Sequence, residues 1–193
     1  MKNKNIKNIS STLLSDNWYT LKKYTFDYLN NSGEWETQHR EAYDRGNGAT
    51  ILLYNVSQKS VILTEQFRLP TFVNGNESGM MIEACAGLLE ENNPIDCIKK
   101  ETEEETGYRI ENVRKIMEAY MSPGSVTELI YFFIAEYAKE MKVSDGGGAE
   151  DETENIDVLE IDFEEALQRM QTGEIKDGKT IMLLQYLRLH HIL

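Results

Sequence analysis

The segment that most constrains this chain is MMIEACAGLLEENNPIDCIKKETEEETGY, residues 80–108. A short apolar strand ends at Gly87 and a polar loop follows. A helix then opens with Asn93 as its cap and Pro94 in its first position, and it closes on Gly107. Its apolar stripe, Ile95 and Ile98 with Thr102, is narrow and calls for one buried face. The helix also carries Glu101, Glu103, Glu104 and Glu105. Residues three and four apart share a helix face, so Glu101, Glu104 and Glu105 converge while Glu103 points elsewhere. Like charges at that spacing cost about 0.2–0.5 kcal/mol per pair. They also crowd the C-terminal half of the helix, where the dipole disfavours anions. A segment that breaks two local rules at once marks a functional site, and clustered carboxylates suit a hard divalent cation. The competing reading is a solvated glutamate face.

The flanking sequence supplies the sheet. WYTLKKYTFDYL and the polar stretch through HREAYDR give two or three strands within residues 15–45, with little core of their own. They are expected to pack on a partner element or a second subunit. ATILLYNV and SVILTEQFRLP read as buried strands, TFVNGNESG as a loop and MMIEACAG as one strand. VRKIMEAYMS and ELIYFFIAEYA are strands around the turn PGSV, IDVLEIDF leads a strand into a helix, and KTIMLLQYLRLHHI is the last helix. The expected fold is α/β (α+β), a mixed α/β sandwich. The expected organisation is an N-terminal β appendage over residues 1–45, suited to dimerisation, and a main domain over 46–193.

Composition excludes several partners. A net charge of −13 argues against a nucleic-acid surface, which needs clustered Lys and Arg, and against an anionic membrane surface. The N-terminus lacks the apolar core of a secretory signal, and no stretch has the roughly 20 apolar residues of a membrane helix. Cys85 and Cys97 show no metal-binding spacing and read as reduced, buried thiols. The chain is therefore expected to be cytoplasmic. Anionic ligands would need local help. Arg68 at the end of an apolar strand, Arg40, and Lys179 at the start of the last helix are candidate phosphate grips, each of which could also be an ordinary surface charge. Trp18 could stack on a purine or belong to the core.

GLLEENNPIDCIKKETEEETGY, residues 87–108, resembles the signature box of the Nudix hydrolases, with Lys100, Glu101, Glu104, Glu105 and Gly107 in register. Asn93 stands where the family pattern has a glutamate. YDRGNGATILLYN, EQFRLPTFVNGNESGMMIEACAGLL, YMSPGSVTE and the acidic glycine-rich loop extend the resemblance toward the ADP-ribose pyrophosphatase branch. The resemblance implies a Nudix αβα sandwich with a mixed sheet. It implies a homodimer whose N-terminal strands reach the partner's site, and magnesium, with manganese as a substitute. The implied reaction is hydrolysis of a nucleotide sugar, GDP-mannose to GMP and mannose 1-phosphate first, ADP-ribose as the alternative. A fold that senses a nucleotide sugar without cleaving it is the reading from another class. Carried over residue by residue, the metal ligands are Glu101, Glu105, Glu152 and the Ala86 carbonyl. Glu104, Glu105 and Glu152 are the catalytic carboxylates. The substrate contacts are Trp18, His39, Arg40, Glu41, Arg68, Ala86, Gly87, Leu88, Glu128, Asp151 and Lys179. Gly146–Gly148 are expected to ease movement of the loop bearing Asp151 and Glu152.

Overall fold

A computed structural model describes residues 3–89, 93–148 and 155–193. The chain forms two compact units. The first takes the chain through Asn47 together with Tyr120–Leu129, and the second takes Gly48–Ala119 and Ile130–Leu193.

The first unit is built on an antiparallel sheet of β1 (Ile6–Asp16), β2 (Thr20–Leu29) and β3 (Trp35–Asp44) in that order. The strands start earlier than the sequence suggests. The stretch Ile6–Leu14 is exposed, its apolar residues included, and pairing with β2 rather than burial makes it a strand. The turn at Ser122–Val126 returns to this unit, where Tyr43 N–H donates to the Ser125 carbonyl at 2.8 Å.

The second unit holds a mixed sheet. It contains β4 (Gly48–Asn55), β5 (Ser60–Phe67), β6 (Met80–Glu83), β7 (Ala86–Leu88), β8 (Arg114–Tyr120), β9 (Leu129–Glu136) and β10 (Asp157–Asp162). The main order is β10-β5-β4-β9-β8, with β6 on β5 and β7 on β4, and β4 runs parallel to β9. Among the described residues four α-helices accompany it, α1 (Leu69–Val73), α2 (Pro94–Thr106), α3 (Phe163–Thr172) and α4 (Gly178–Leu189), with a short 3-10 turn at Lys139–Met141.

Both faces of β4 are covered, which explains its nearly unbroken apolar run. Ala49, Ile51 and Leu53 join one core cluster with Phe133, Ala135 and Ile98 of α2. Thr50 and Leu52 alternate to the opposite face and are also fully buried, and α4, with Leu183, Leu184 and Leu187 buried, packs on β4. This helix–sheet–helix layering is the mixed α+β architecture expected from the sequence.

Three local expectations differ. SVILTEQFRLP does not stay extended to Pro70: β5 ends at Phe67, and Pro70 sits in the first turn of α1, where a missing N–H costs nothing. MMIEACAG is two strands, because the chain leaves β5 for β4 between Glu83 and Ala86. The buried stripe of α2 is Cys97, Ile98, Thr102, Glu105 and Thr106, while Ile95 in the first turn stays exposed. Ile98, Thr102 and Thr106 are spaced by four, so one face carries the contact.

Candidate active site

In α2 both helix ends behave as the sequence requires. The Asn93 side chain accepts hydrogen bonds from the N–H groups of Ile95 and Asp96, which accounts for a residue that departs from the glutamate of the family box. Gly107 closes the helix at φ 78°. The four glutamates then separate. Glu103 is bound by Arg109, with Nε donating at 2.8 Å. Glu104 pairs with Lys100 at 3.3 Å, one turn back. Glu101 and Glu105 turn toward the β6–β7 strands instead.

The position of Glu101 is set by Gly87. A methyl group at residue 87 would run into Cδ, Cγ and Oε1 of Glu101, so the carboxylate lies in the space that a side chain would fill, beside Ala86. Glu105 is 2% exposed and faces Cys85. Burial pushes the Cys85 thiol well up, and the charge and hydrogen bond of Glu105 push it further, so this cysteine stays protonated.

Two cations of the second unit are each held by an acid. Arg68 grips Glu83 with Nε at 3.2 Å and Nη2 at 2.7 Å. Burial works to lower the Arg68 pKa, but the hydrogen bond and charge of Glu83 and the charges of Glu105 and Asp177 outweigh it and leave it raised. Lys179 Nζ donates to Asp177 Oδ1 at 2.7 Å, and both side chains are largely buried. Burial acts to raise the Asp177 pKa, yet the Lys179 charge and the bonds from Lys179 and Thr180 hold it below the usual range. Glu83 and Asp177 were missed by the sequence reading. Their signals were a carboxylate inside the apolar run MMIEACAG and an acid directly before the last helix.

The glycine run has an unexpected task. Gly147 N–H donates to the Glu105 carbonyl at 2.9 Å and Gly148 N–H to the Glu104 carbonyl at 3.1 Å. Gly146, at φ 73°, lies flat against the backbone of Glu105 and Thr106. These residues dock on the C-terminal end of α2. Asp151 and Glu152 lie outside the described residues.

The remaining sequence candidates, Leu88 of the second unit apart, occupy the first unit. Trp18 is 86% exposed, with Tyr19 beside it at 6.1 Å between ring centroids, which overturns the core reading. His39 Nδ1 shares a hydrogen bond with Thr25 Oγ1 at 3.0 Å. Arg40 donates to its neighbours, the His39 carbonyl and Gln38 Oε1, and Glu41 lies exposed opposite Lys23. Glu128 pairs with Arg45 at 3.3 Å, and Arg45 also lies over the Tyr19 ring. Leu88 contributes its carbonyl to the Cys97 thiol.

Among the described residues no group of three or more His, Cys, Asp or Glu side chains forms a metal cluster. The donor set nevertheless fits a hard divalent cation. Magnesium is held through one or two carboxylates and keeps several waters, and Glu101 beside the Ala86–Gly87 backbone with Glu105 supplies such oxygens.

Residues 44–183 match the family described as the NUDIX domain, and residues 5–43 match the GDP-mannose pyrophosphatase NudK N-terminal domain. A GDP-mannose pyrophosphatase of Yersinia pestis (strain Pestoides F) is 58% identical over 185 residues, covering 96% of this chain and 92% of its own. One from Yersinia enterocolitica is 56% identical over 188 residues, 97% of each chain. One from Shigella flexneri is 56% identical over 185 residues, 96% of each.

Proposed function

The chain belongs to the NUDIX family of hydrolases, and on that premise we propose that it hydrolyses GDP-mannose to GMP and mannose 1-phosphate with magnesium as cofactor and manganese as a substitute. The observation that carries the chemistry is the seating of the Glu101 carboxylate against Gly87, with Glu105 one turn on. The substrate rests on relatives that cover nearly the whole chain.

Glu101, Glu105 and the Ala86 carbonyl would hold the cation, with Glu152 completing the set. The chemistry that a divalent ion supplies here is neutralisation of phosphoryl charge and activation of water. The protein's own groups do the rest. Arg68 and Lys179 take the pyrophosphate oxygens, and Glu83 and Asp177 keep both cations aimed while the site is empty. Glu104 orients the reacting water together with Glu105 and Glu152, while Asp151 and the backbone of Gly87 and Leu88 line the substrate. Trp18 offers an exposed face for the guanine, and His39, Arg40, Glu41 and Glu128 serve the nucleotide from the N-terminal unit of a partner subunit.

That arrangement requires a homodimer built through the appendage of residues 1–45 on the main domain of 46–193. The exposed Ile9, Leu13 and Trp18 support it, because a three-stranded sheet with bare apolar residues gains by being covered. Among the described residues no helix is long and apolar enough to cross a membrane. Cys85 and Cys97 are buried thiols rather than a disulfide, which accords with a cytoplasmic setting.

The test is incubation of the purified protein with magnesium and GDP-mannose, ADP-ribose or ADP-glucose in parallel, with E105Q as control. Magnesium-dependent release of GMP and mannose 1-phosphate, lost in E105Q, is expected. Preference for ADP-ribose overturns the substrate. Binding without turnover of any compound overturns the enzyme and favours a sensor.

A further inference from the structure

Between Glu83 and Ala86 the chain changes sheet partners, from β5 to β4. A switch of partner leaves backbone groups that neither ladder satisfies, and a buried N–H must find another acceptor. Ala84 is 1% exposed, and its N–H donates to the hydroxyl of Thr180 at 2.6 Å. The Thr180 hydroxyl in turn donates to Asp177 Oδ2 at 2.7 Å, and the Thr180 N–H donates to the same oxygen at 2.9 Å. One residue on, the Cys85 carbonyl accepts from Ile51 N–H at 2.9 Å and from the Thr50 hydroxyl at 3.0 Å. The segment that presents the Ala86 carbonyl is thus pinned from both sides, and one of the pins is the start of α4.

Asp177 does more than cap that helix. Capping needs one oxygen, and here Oδ2 performs it. Oδ1 is spent on Lys179, a cation in the first turn of α4, where the helix dipole disfavours positive charge. A lysine placed against the dipole and held by an acid two residues earlier is a local rule broken for function.

We propose that Asp177 is a positioning residue for the pyrophosphatase reaction. One oxygen fixes the Lys179 ammonium and the other, through Thr180, fixes the backbone leading to Ala86, so that the phosphate grip and the cation-binding strand share one frame. This rests on the reading of Lys179 and Ala86 given above.

The experiment is a double-mutant cycle with D177N, K179Q and the pair, read as kcat and KM for GDP-mannose and as unfolding midpoints. Asparagine caps helices as well as aspartate does, so D177N keeps the fold. Its kcat is expected to fall roughly 10–100-fold, the scale of a misplaced reacting group, with the loss in kcat rather than KM. The pair is expected to be no worse than K179Q, because both substitutions remove one unit. D177E, which keeps the charge, is expected to recover part of the activity even if D177N proves unstable. Losses that multiply in the pair, a D177N enzyme as active as the parent beside a crippled K179Q, or a D177E no better than D177N would each overturn the proposal. A K179Q enzyme with full activity removes the reading of Lys179 itself, and this inference with it.

Discussion

Gly87→Ala is the sharpest perturbation of the site that leaves the fold alone. The φ of Gly87 lies outside the left-handed region, so alanine meets no backbone strain there. The added methyl would come under 3.0 Å from Cγ, Cδ and Oε1 of Glu101. Carbon–carbon contact settles at about 3.5–4.0 Å, so the carboxylate must withdraw by more than about 1 Å. Its neighbours at that point are the far end of its own flexible chain rather than fixed backbone. Rotation of Glu101 therefore relieves the clash, and the stability loss should stay below about 1 kcal/mol, or roughly 2–4 °C in a domain of this size. Catalysis should suffer far more, because a displacement near 1 Å costs up to about 100-fold. Manganese titration by calorimetry, kcat on GDP-mannose and thermal unfolding are measured on both proteins. Weaker metal binding and a kcat loss of roughly 10–100-fold with a nearly unchanged midpoint are expected. Parental metal affinity and kcat would refute the placement of Glu101 as a ligand beside Gly87.

Thr180→Val should cost about 2–4 kcal/mol, since it strips the buried Ala84 N–H of its acceptor and Asp177 of a donor; Thr180→Ser should cost clearly less, as urea midpoints will show. Gly146→Ala should destabilise by about 1–3 kcal/mol, because its Cβ would meet the Glu105 carbonyl at a φ of 73°, and hydrogen exchange at the end of α2 should rise. Asp177 has a folded pKa below its ordinary value, so its contribution to stability is present above about pH 4 and is lost as the pH falls through the folded pKa. Urea midpoints between pH 5 and 3 should fall more steeply for the parent than for D177N.

Much of this was legible in the sequence, for physical reasons that differ by element. The ends of α2 could be read because capping is local: Asn93, Pro94 and Gly107 act through their own backbone. The burial of β4 could be read from its composition. The division of MMIEACAG could not, since the break is imposed by two separate partner strands far away in sequence. The exposure of Trp18 was equally hidden, because WYTLKKYTFDYL reads as one alternating strand whereas Trp18 lies in the bend between β1 and β2, outside the alternation. Gly146–Gly148 were read for flexibility, yet in the described residues they supply N–H groups and close approach to α2. Glu83 escaped because its partner Arg68 is distant in sequence, whereas Asp177 stands two residues from Lys179 and could have been found from its place directly before the last helix.

The docking of the glycine run also bears on the crowded acids of α2. Four glutamates near a helix C-terminus face one another and the negative end of the dipole. Glu103 and Glu104 have cations, Arg109 and Lys100, on the outer side. The terminal carbonyls of Glu103, Glu104 and Glu105 accept from Gly107, Gly148 and Gly147, so the partial negative charge at this end is met by N–H groups. Glu101 and Glu105 lie on the inner side instead, one against Gly87 and the other facing Cys85. Carboxylate oxygens are the hard donors that a divalent cation takes, so the inner face of α2, fixed by its close approach to Gly87, is the face suited to hold one.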